Sequence, residues 1–381
     1  MLASFSSQNT YISLDKALEF VGDNSQYQKR TIYLFAVQWS LFCFLLMGMP
    51  FLLSSPEFLC NSPNGALQSC DEITACASLP IQIDVDHSPS SISRDFDLFC
   101  SRKYYVGLCG FMFFLGSFFG GLIFPNLAEK SGRRRVLLIS SVLPGITLII
   151  LGLMDEIGLV LICFFLIGMS FNGFETTSMI YINEISGERF RNFASMTLTV
   201  VWAFGQIIYA GLTYFIDDWR VITIVLIGCP FLVVSFLEFR QLLETPKFLI
   251  NMNKYVEARI VLNQIALFNG RPQFTYRLEG EMDDFQTTRG YTNEPKPIER
   301  DYIRIQSENY GYIDLFRYKS LRLLTVYLLF LWFFKNFTYF GLAFSLPGFG
   351  GEVHENFLLT AVAELVACFM SGFLIISYSM K

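Results

Sequence analysis

Long stretches nearly free of polar residues dominate this chain. Eight are read, at 31–53, 104–124, 136–154, 158–182, 193–215, 220–239, 323–345 and 356–378. A helix of ~20 apolar residues crosses the ~30 Å hydrocarbon core of a bilayer. Water is absent there, so every backbone group must be satisfied within its own helix. The pattern predicts an all-α, polytopic membrane protein of about eight transmembrane helices. The last stretch carries an acid, Glu364, and the third and fourth are parted only by Asp155-Glu156-Ile157.

The polar segments between these runs set an orientation. The first 30 residues carry Asp15, Glu19, Asp23, Lys29 and Arg30, and the first apolar run is too long for the core of a signal peptide. Lys130, Arg133, Arg134 and Arg135 lie between runs two and three, and Arg189 and Arg191 between runs four and five. Segment 240–322 is the most basic of all. The alternate short loops are nearly free of Lys and Arg: 155–157 is acidic, 216–219 reads Ile-Asp-Asp-Trp, and 346–355 has neither. Basic loops stay inside. The expected organisation is a cytoplasmic N-terminus (1–30), six helices (31–239) with an outer loop at 54–103, a cytoplasmic linker (240–322) and two further helices (323–381). The expected location is the plasma membrane. Within the linker, Lys254–Phe268 reads as a short amphipathic helix, with Val256, Ile260, Val261, Ile265 and Phe268, and Gln264 among them, at helical spacing. Residues 280–310, rich in Asp, Glu, Thr and Asn, are expected to lack a fixed fold.

Composition agrees. The chain is 53% hydrophobic and 16% charged, against ~25% charged in soluble domains. The net charge of −5 says little, because position matters more than the sum. Four of the nine cysteines, Cys60, Cys70, Cys76 and Cys100, fall in the outer loop. An even count in an oxidising compartment predicts two disulfides, with three pairings open. The other five lie in apolar runs, where Cys is a small filler.

Catalytic and metal chemistry find no foothold. The two histidines, His87 and His354, fall in outer segments, and no Cys-x-x-Cys, His-Glu-x-x-His, Gly-x-Ser-x-Gly or phosphate-loop pattern occurs. Gly116, Gly120 and Gly121 sit inside an apolar run, where they let helices approach. No enzyme activity, cofactor, metal or nucleic-acid partner is expected.

Three charged clusters gather on the predicted inner face: Ala128-Glu129-Lys130-Ser131-Gly132-Arg133-Arg134-Arg135, Tyr181-Ile182-Asn183-Glu184-Ile185-Ser186-Gly187-Glu188-Arg189-Phe190-Arg191, and Glu244-Thr245-Pro246-Lys247-Phe248-Leu249. Pro246 stops the sixth helix and leaves Glu244 within reach of the basic loops. Glu129, Arg133, Arg134, Glu184, Arg191 and Glu244 are expected to form one charge network that holds a conformation shut.

The first cluster resembles the loop 2–3 signature of the major facilitator superfamily. The subfamily it resembles is the organic cation and anion transporters, the solute carrier 22 group. Leu14-Asp15-Lys16-Ala17-Leu18-Glu19-Phe20-Val21-Gly22 and Tyr27-Gln28-Lys29-Arg30 resemble that family's N-terminus. Phe96-Asp97-Leu98-Phe99-Cys100 resembles its segment before helix 2. Glu184, Trp219-Arg220, Glu244-Thr245-Pro246-Lys247, Tyr339-Phe340-Gly341-Leu342 and Glu355-Asn356-Phe357-Leu358 match it in order and spacing. The resemblance implies a major facilitator fold and alternating access. It also departs: Pro125 stands where the signature has glycine, Glu129 where it has aspartate. The family has twelve helices, so the last four are expected to be lacking, and residues 323–381 would be the first two helices of a C-terminal bundle.

In such carriers the solute sits between two bundles that rock around it. The resemblance implies that helices 1, 4 and 7 line the cavity, which makes Trp39, Phe42, Phe171, Phe174, Glu175, Trp332, Lys335 and Tyr339 the candidates. A cation over an aromatic face gains ~0.5–2 kcal/mol. A charge inside the membrane costs ~2.5–3.5 kcal/mol and so marks function or pairing. Glu175, Lys335 and Glu364 qualify, while Glu238 is expected at the inner interface. Lys335, midway along its run, would favour anionic or zwitterionic solutes. The expected partners are a small organic ion and the lipid bilayer, with the coupling ion open. A sugar carrier would favour Gln and Asn clusters, of which only Gln206 and Asn336 stand out. A non-transporting chain that regulates a partner is the remaining reading.

Overall fold

The computed structural model describes residues 11–61, 67–77, 81–84, 88, 90–280, 313–345 and 353–379. The predicted flexible stretch 280–310, the histidine at 87 and most of loop 346–355 lie outside the described residues. All eight predicted spans are helices: α1 Gln26–Met47, α2 Tyr104–Ser131, α3 Arg133–Leu153, α4 Ile157–Ile185, α5 Glu188–Phe215, α6 Trp219–Gln241, α7 Lys319–Ser345 and α8 Val353–Ser379. Each is long and apolar enough to cross a membrane.

Two helix details follow from single residues. α2 runs seven residues beyond the predicted end at 124, straight through Pro125, and stops at Gly132. Proline removes one N–H from the ladder, but the flanking residues are apolar and remain helical. Gly132 stops the helix because its φ is +98°, which a side chain tolerates poorly. In α6, Ile222–Gly228 takes π-type winding just before Pro230. Proline cannot donate to the carbonyl four residues back, and a wider turn there relieves the mismatch.

The chain divides into two compact units, Met1–Glu279 with Phe349–Lys381, and Gly280–Gly348. In the first, α2 packs most extensively on α4, α3 also packs on α4, and α1 and α8 both pack on α5. The α2–α4 seam needs glycine: a Cβ at Gly116 or Gly120 would collide with the carbonyl oxygens of Phe165 and Met169. In the second unit, the short helix Asp314–Arg317 leads into α7, whose side chains are nearly all exposed.

Loop 54–103 folds as a small disulfide-bonded layer. Strands β2 (Phe58–Asn61), β3 (Leu67–Cys70) and β4 (Gln82–Ile83) form an antiparallel sheet in the order β3-β2-β4; β1 (Tyr11–Ile12) pairs elsewhere with β5 (Arg277–Leu278). Of the three open pairings, the fold selects Cys60–Cys70 and Cys76–Cys100. The first staples β2 to β3, and the second ties the helix Glu72–Ala77 to the turn before α2. Ser91 and Ser93 donate to the carbonyls of Ser54 and Leu53, both at 2.8 Å, which moors the layer to the end of the α1 segment.

The linker helix is Tyr255–Phe268, as the spacing predicts, and only part of its apolar set is buried. Ala258, Leu262, Ile265 and Ala266 are buried, while Val256 and Ile260 are 63% and 53% exposed. Small Ala258 and Ala266 let the helix settle on Leu262 and Ile265, and Val256 and Ile260 turn outward.

Candidate functional site

The three predicted charge clusters meet where α2 turns into α3. Gly132 makes this turn, and a Cβ there would also strike the Glu244 carboxylate. Arg133, 3% exposed, occupies the centre. Its Nη2 donates to Glu129 Oε1 at 2.8 Å and to Glu184 Oε1 at 3.1 Å, and its Nη1 to the Ala128 carbonyl at 3.2 Å. Its guanidinium lies 5.1 Å from the centre of the Phe248 ring. Glu184 Oε2 accepts from the Thr245 hydroxyl at 2.6 Å. One arginine thus links α2, α3, α4 and the chain after α6.

Glu244 acts on backbone. Its Oε1 accepts from the N–H groups of Arg133 (2.9 Å), Arg134 (3.3 Å) and Thr245 (3.0 Å). A carboxylate at a helix start satisfies orphan donors and complements the helix dipole. Burial pushes the Glu244 carboxyl above its ordinary range, while the backbone donors and the Arg133 charge pull it partly back. Two tyrosines extend the arrangement. The Tyr27 and Tyr181 hydroxyls are 2.8 Å apart, Tyr181 donates to the Leu243 carbonyl at 2.7 Å, and the Leu243 N–H donates to Tyr27 at 3.2 Å.

Two predicted members stand apart. Arg191 donates to the Asn183 and Ser186 carbonyls and to Asp15, at 3.1, 3.3 and 3.3 Å, so it caps the end of α4 instead. Arg134 donates to the Phe239 carbonyl at 3.1 Å and lies over the Phe239 ring, capping α6. Both directions follow from helix geometry: arginines near a helix C-terminus find open carbonyls before they find a second carboxylate. Thr245, Tyr27 and Tyr181 stand in the quoted motifs, but the sequence gives them no role in the network. Thr245 had a signal, a Thr before Pro at a helix start, and its hydroxyl accepts from the Phe248 N–H at 3.4 Å.

The opposite end of the helices has its own charged group. Arg220 pairs with Asp95 (3.3 Å) and Asp155 (3.1 Å) and donates to the Gly152 carbonyl, while Trp219 Nε1 donates to Asp95 at 3.0 Å. These contacts join α6, the α3–α4 turn and the outer layer.

Between the ends lies an aromatic cluster. Trp39 Nε1 donates to Ser178 at 3.1 Å, and its ring meets Trp202 edge-on at 6.1 Å. Phe171, half-buried, lies 6.1 Å from Trp202 and 5.5 Å from Phe42. Phe42 and Phe174 depart from the expectation of cavity residues. They are 2% and 0% exposed, enclosed by one another and by Phe35, Phe171 and Phe231. A ring with no open face cannot receive a solute, so these two are packing. Glu175 is half-buried. Glu364 on α8 accepts from Gln206 on α5 at 2.6 Å.

Glu238, near the end of α6, is fully buried between α1, α3 and α6. Its Oε2 accepts from Ser141 at 2.6 Å, Ser141 and Ser235 share a hydrogen bond, and Gln38 donates to both serines. In the second unit, Lys335 Nζ lies 4.5 Å from the centre of the Trp332 ring, and Tyr339 packs on Phe340. Among the described residues, no group of His, Cys, Asp and Glu has the geometry of a metal site.

Comparison with known proteins gives a consistent answer. The family described as "Sugar (and other) transporter" matches residues 68–374. The chain is 24% identical to the "Organic cation transporter protein" of Drosophila melanogaster, over 92% of this chain and 68% of that protein. It is 29% identical to "Organic anion transporter 3" of Sus scrofa, over 76% of this chain and 50% of that protein. The chain thus spans about half to two thirds of the length of the curated relatives it matches. Among solved structures it resembles the proton:xylose symporter XylE of the major facilitator superfamily, at 16% identity and TM-score 0.56, covering 92% of this chain and 69% of that one. A second D-xylose-proton symporter structure matches at TM-score 0.54 and 13% identity, over 93% of this chain and 70% of that one. At such identity the likeness is one of fold.

Proposed function

The chain belongs to the sugar (and other) transporter family, and on that premise we propose that it serves transmembrane transport of small organic ions by alternating access. The fold is all-α and of the major facilitator kind. The relatives named for organic cations and anions support the ion reading. The observation that carries the mechanism is the buried Arg133 that holds Glu129 on one side and Glu184 on the other. A buried charge must be paired, and losing one partner costs ~3–5 kcal/mol. Such a junction has two states, closed with every charge satisfied, or opened with Arg133 and both acids returned to water. That is the property a gate needs.

In this reading residues 1–30 and 240–322 face the cytoplasm, 31–239 form the first bundle, and 323–381 begin the second. The Arg133 junction then closes the inner end and favours the outward-open form. Phe171 and Glu175 are the half-buried first-bundle candidates, and Trp39, 8% exposed, packs behind them on Trp202. Trp332, Lys335 and Tyr339 are the contribution of α7. Lys335 forms no ion pair among the described residues and rests on the Trp332 ring, which supports a bias toward anionic or zwitterionic solutes. Gln206, the residue that pointed to sugars, is bonded to Glu364.

Uptake by cells expressing the gene tests this, with a quaternary ammonium, an aryl carboxylate and a hexose as probes. Accumulation of at least one ion above control cells is expected, and Lys335→Ala should lower carboxylate uptake more than ammonium uptake. Hexose uptake with neither ion carried would sink the reading in favour of a sugar carrier.

A further inference from the structure

Beneath the ends of α1 and α6 lies a pocket of about 550 Å³ that borders the Arg133 junction at Tyr27 and Leu243 but takes in none of its charged residues. Its walls include Tyr27, Arg30, Phe236, Arg240, Gln264 and Phe268. Two arginines therefore face one space. Each is held by a ring: Arg30 lies 5.9 Å from the centre of Phe268, and Arg240 lies 5.9 Å from the centre of Phe236. Neither forms an ion pair with any described residue. Other arginines at the same ends are committed, Arg133 and Arg191 to acids and Arg134 to a carbonyl. Two positive charges left open toward one pocket call for an anion.

The surroundings say which anion. Arg240 sits in the last turn of α6, and Arg30 in the second turn of α1, so the pocket lies where two apolar spans end. Directly along α6, Phe236, Leu237 and Phe239 are 57%, 41% and 59% exposed, a surface fit for acyl chains. The opposite wall is the helix Tyr255–Phe268. Its outward residues Val256, Ile260, Leu267 and Phe268 are apolar and exposed, and they share a stripe with the pocket residue Gln264. An outward apolar face at the end of a span suits the bilayer interface. Planar guanidinium groups recognise phosphate through paired N–H donors.

We propose that this pocket binds the headgroup of an anionic phospholipid, with Arg30 and Arg240 on its phosphate and Phe236, Leu237 and Phe239 along its acyl chains. The proposal rests on the chain lying in a membrane and is independent of which solute it carries. The lipid would tie the linker helix to the foot of the bundle. It would also account for the outward turn of Val256 and Ile260 that the sequence pattern did not foresee.

Native mass spectrometry of the purified chain, titrated with phosphatidylglycerol or phosphatidylcholine, is the test. Wild type is expected to retain one phosphatidylglycerol preferentially. Each arginine near an anionic lipid surface contributes about 1 kcal/mol, so Arg30→Gln with Arg240→Gln should weaken retention roughly thirtyfold. Lys247→Gln, an exposed basic residue outside the pocket, should change nothing. The charge-keeping pair Arg30→Lys with Arg240→Lys should recover most of the binding, which separates loss of charge from loss of fold. Equal retention of the two lipids, or equal retention by wild type and the double Gln variant, overturns the proposal. Full competition by glycerophosphoglycerol, which has the headgroup and no acyl chains, would reassign the pocket to a soluble phosphate and equally overturn it.

Discussion

The two ends of the α1–α6 bundle are held by different means. At the Arg133 end the contacts are non-covalent and buried: the Arg133 and Glu184 side chains are 4% and 7% exposed. At the Arg220 end two disulfides stitch the outer layer, and the ion pairs are open to solvent, with Arg220 at 33% and Asp155 at 86%. Exposed pairs contribute ~0–1 kcal/mol, whereas breaking a buried pair costs several times more. One end is therefore held by buried ion pairs that can break and re-form, while the other carries solvent-exposed ion pairs beside a layer that is covalently fixed only within itself.

The contrast can be broken by substitution. The largest effect is expected from Arg133→Ala, which strands Glu184 in the interior and should cost ~3–5 kcal/mol of stability in denaturant unfolding of the purified chain. Next is Cys76→Ser with Cys100→Ser. It opens a loop of 24 residues and should cost roughly 3 kcal/mol, confined to proteolytic release of the outer layer. Glu238→Ala leaves Ser141 and Gln38 short of an acceptor and should cost ~1–3 kcal/mol, while Glu238→Gln keeps an acceptor and should cost less. Thr245→Ala removes both a helix cap and a Glu184 partner, for ~1–2 kcal/mol in the same unfolding assay. Smallest is Asp155→Asn, where the midpoint should not move measurably. If Asp155→Asn proved as costly as Arg133→Ala, the contrast between the ends would be lost.

Much of the fold was legible because membrane spans are written in composition. Eight apolar runs gave eight helices, since nothing but a helix satisfies a lone backbone in lipid. What a run does not reveal is direction. Phe42 and Phe174 looked like solute-facing rings, yet a uniformly apolar helix has no polar face to mark the core, and they proved to be packing. The linker helix was legible from the spacing of its apolar residues, but not which of them pack: Leu262 and Ile265 are buried with Ala258 and Ala266, while Val256 and Ile260 are exposed. The polar group around Glu238 was not legible because Gln38, Ser141 and Ser235 lie on three helices that only the fold brings together. The charge clusters at Glu129, Glu184 and Glu244 were visible, but which arginine would serve them was not. Arg133 took the centre because Gly132 turns it inward, while Arg134 and Arg191 found carbonyls.

Amide hydrogen exchange on the purified chain, with and without Arg133→Gln, tests the two-ended account most directly. Segments 128–135 and 242–249 at the Arg133 end should exchange faster in the variant, by up to about a hundredfold if ~3 kcal/mol of pairing is lost. Segment 92–102 at the disulfide-bonded end should keep its wild-type rate. Unchanged exchange at 242–249, or an equal rise at both ends, would contradict the claim that Arg133 holds one end of the bundle shut.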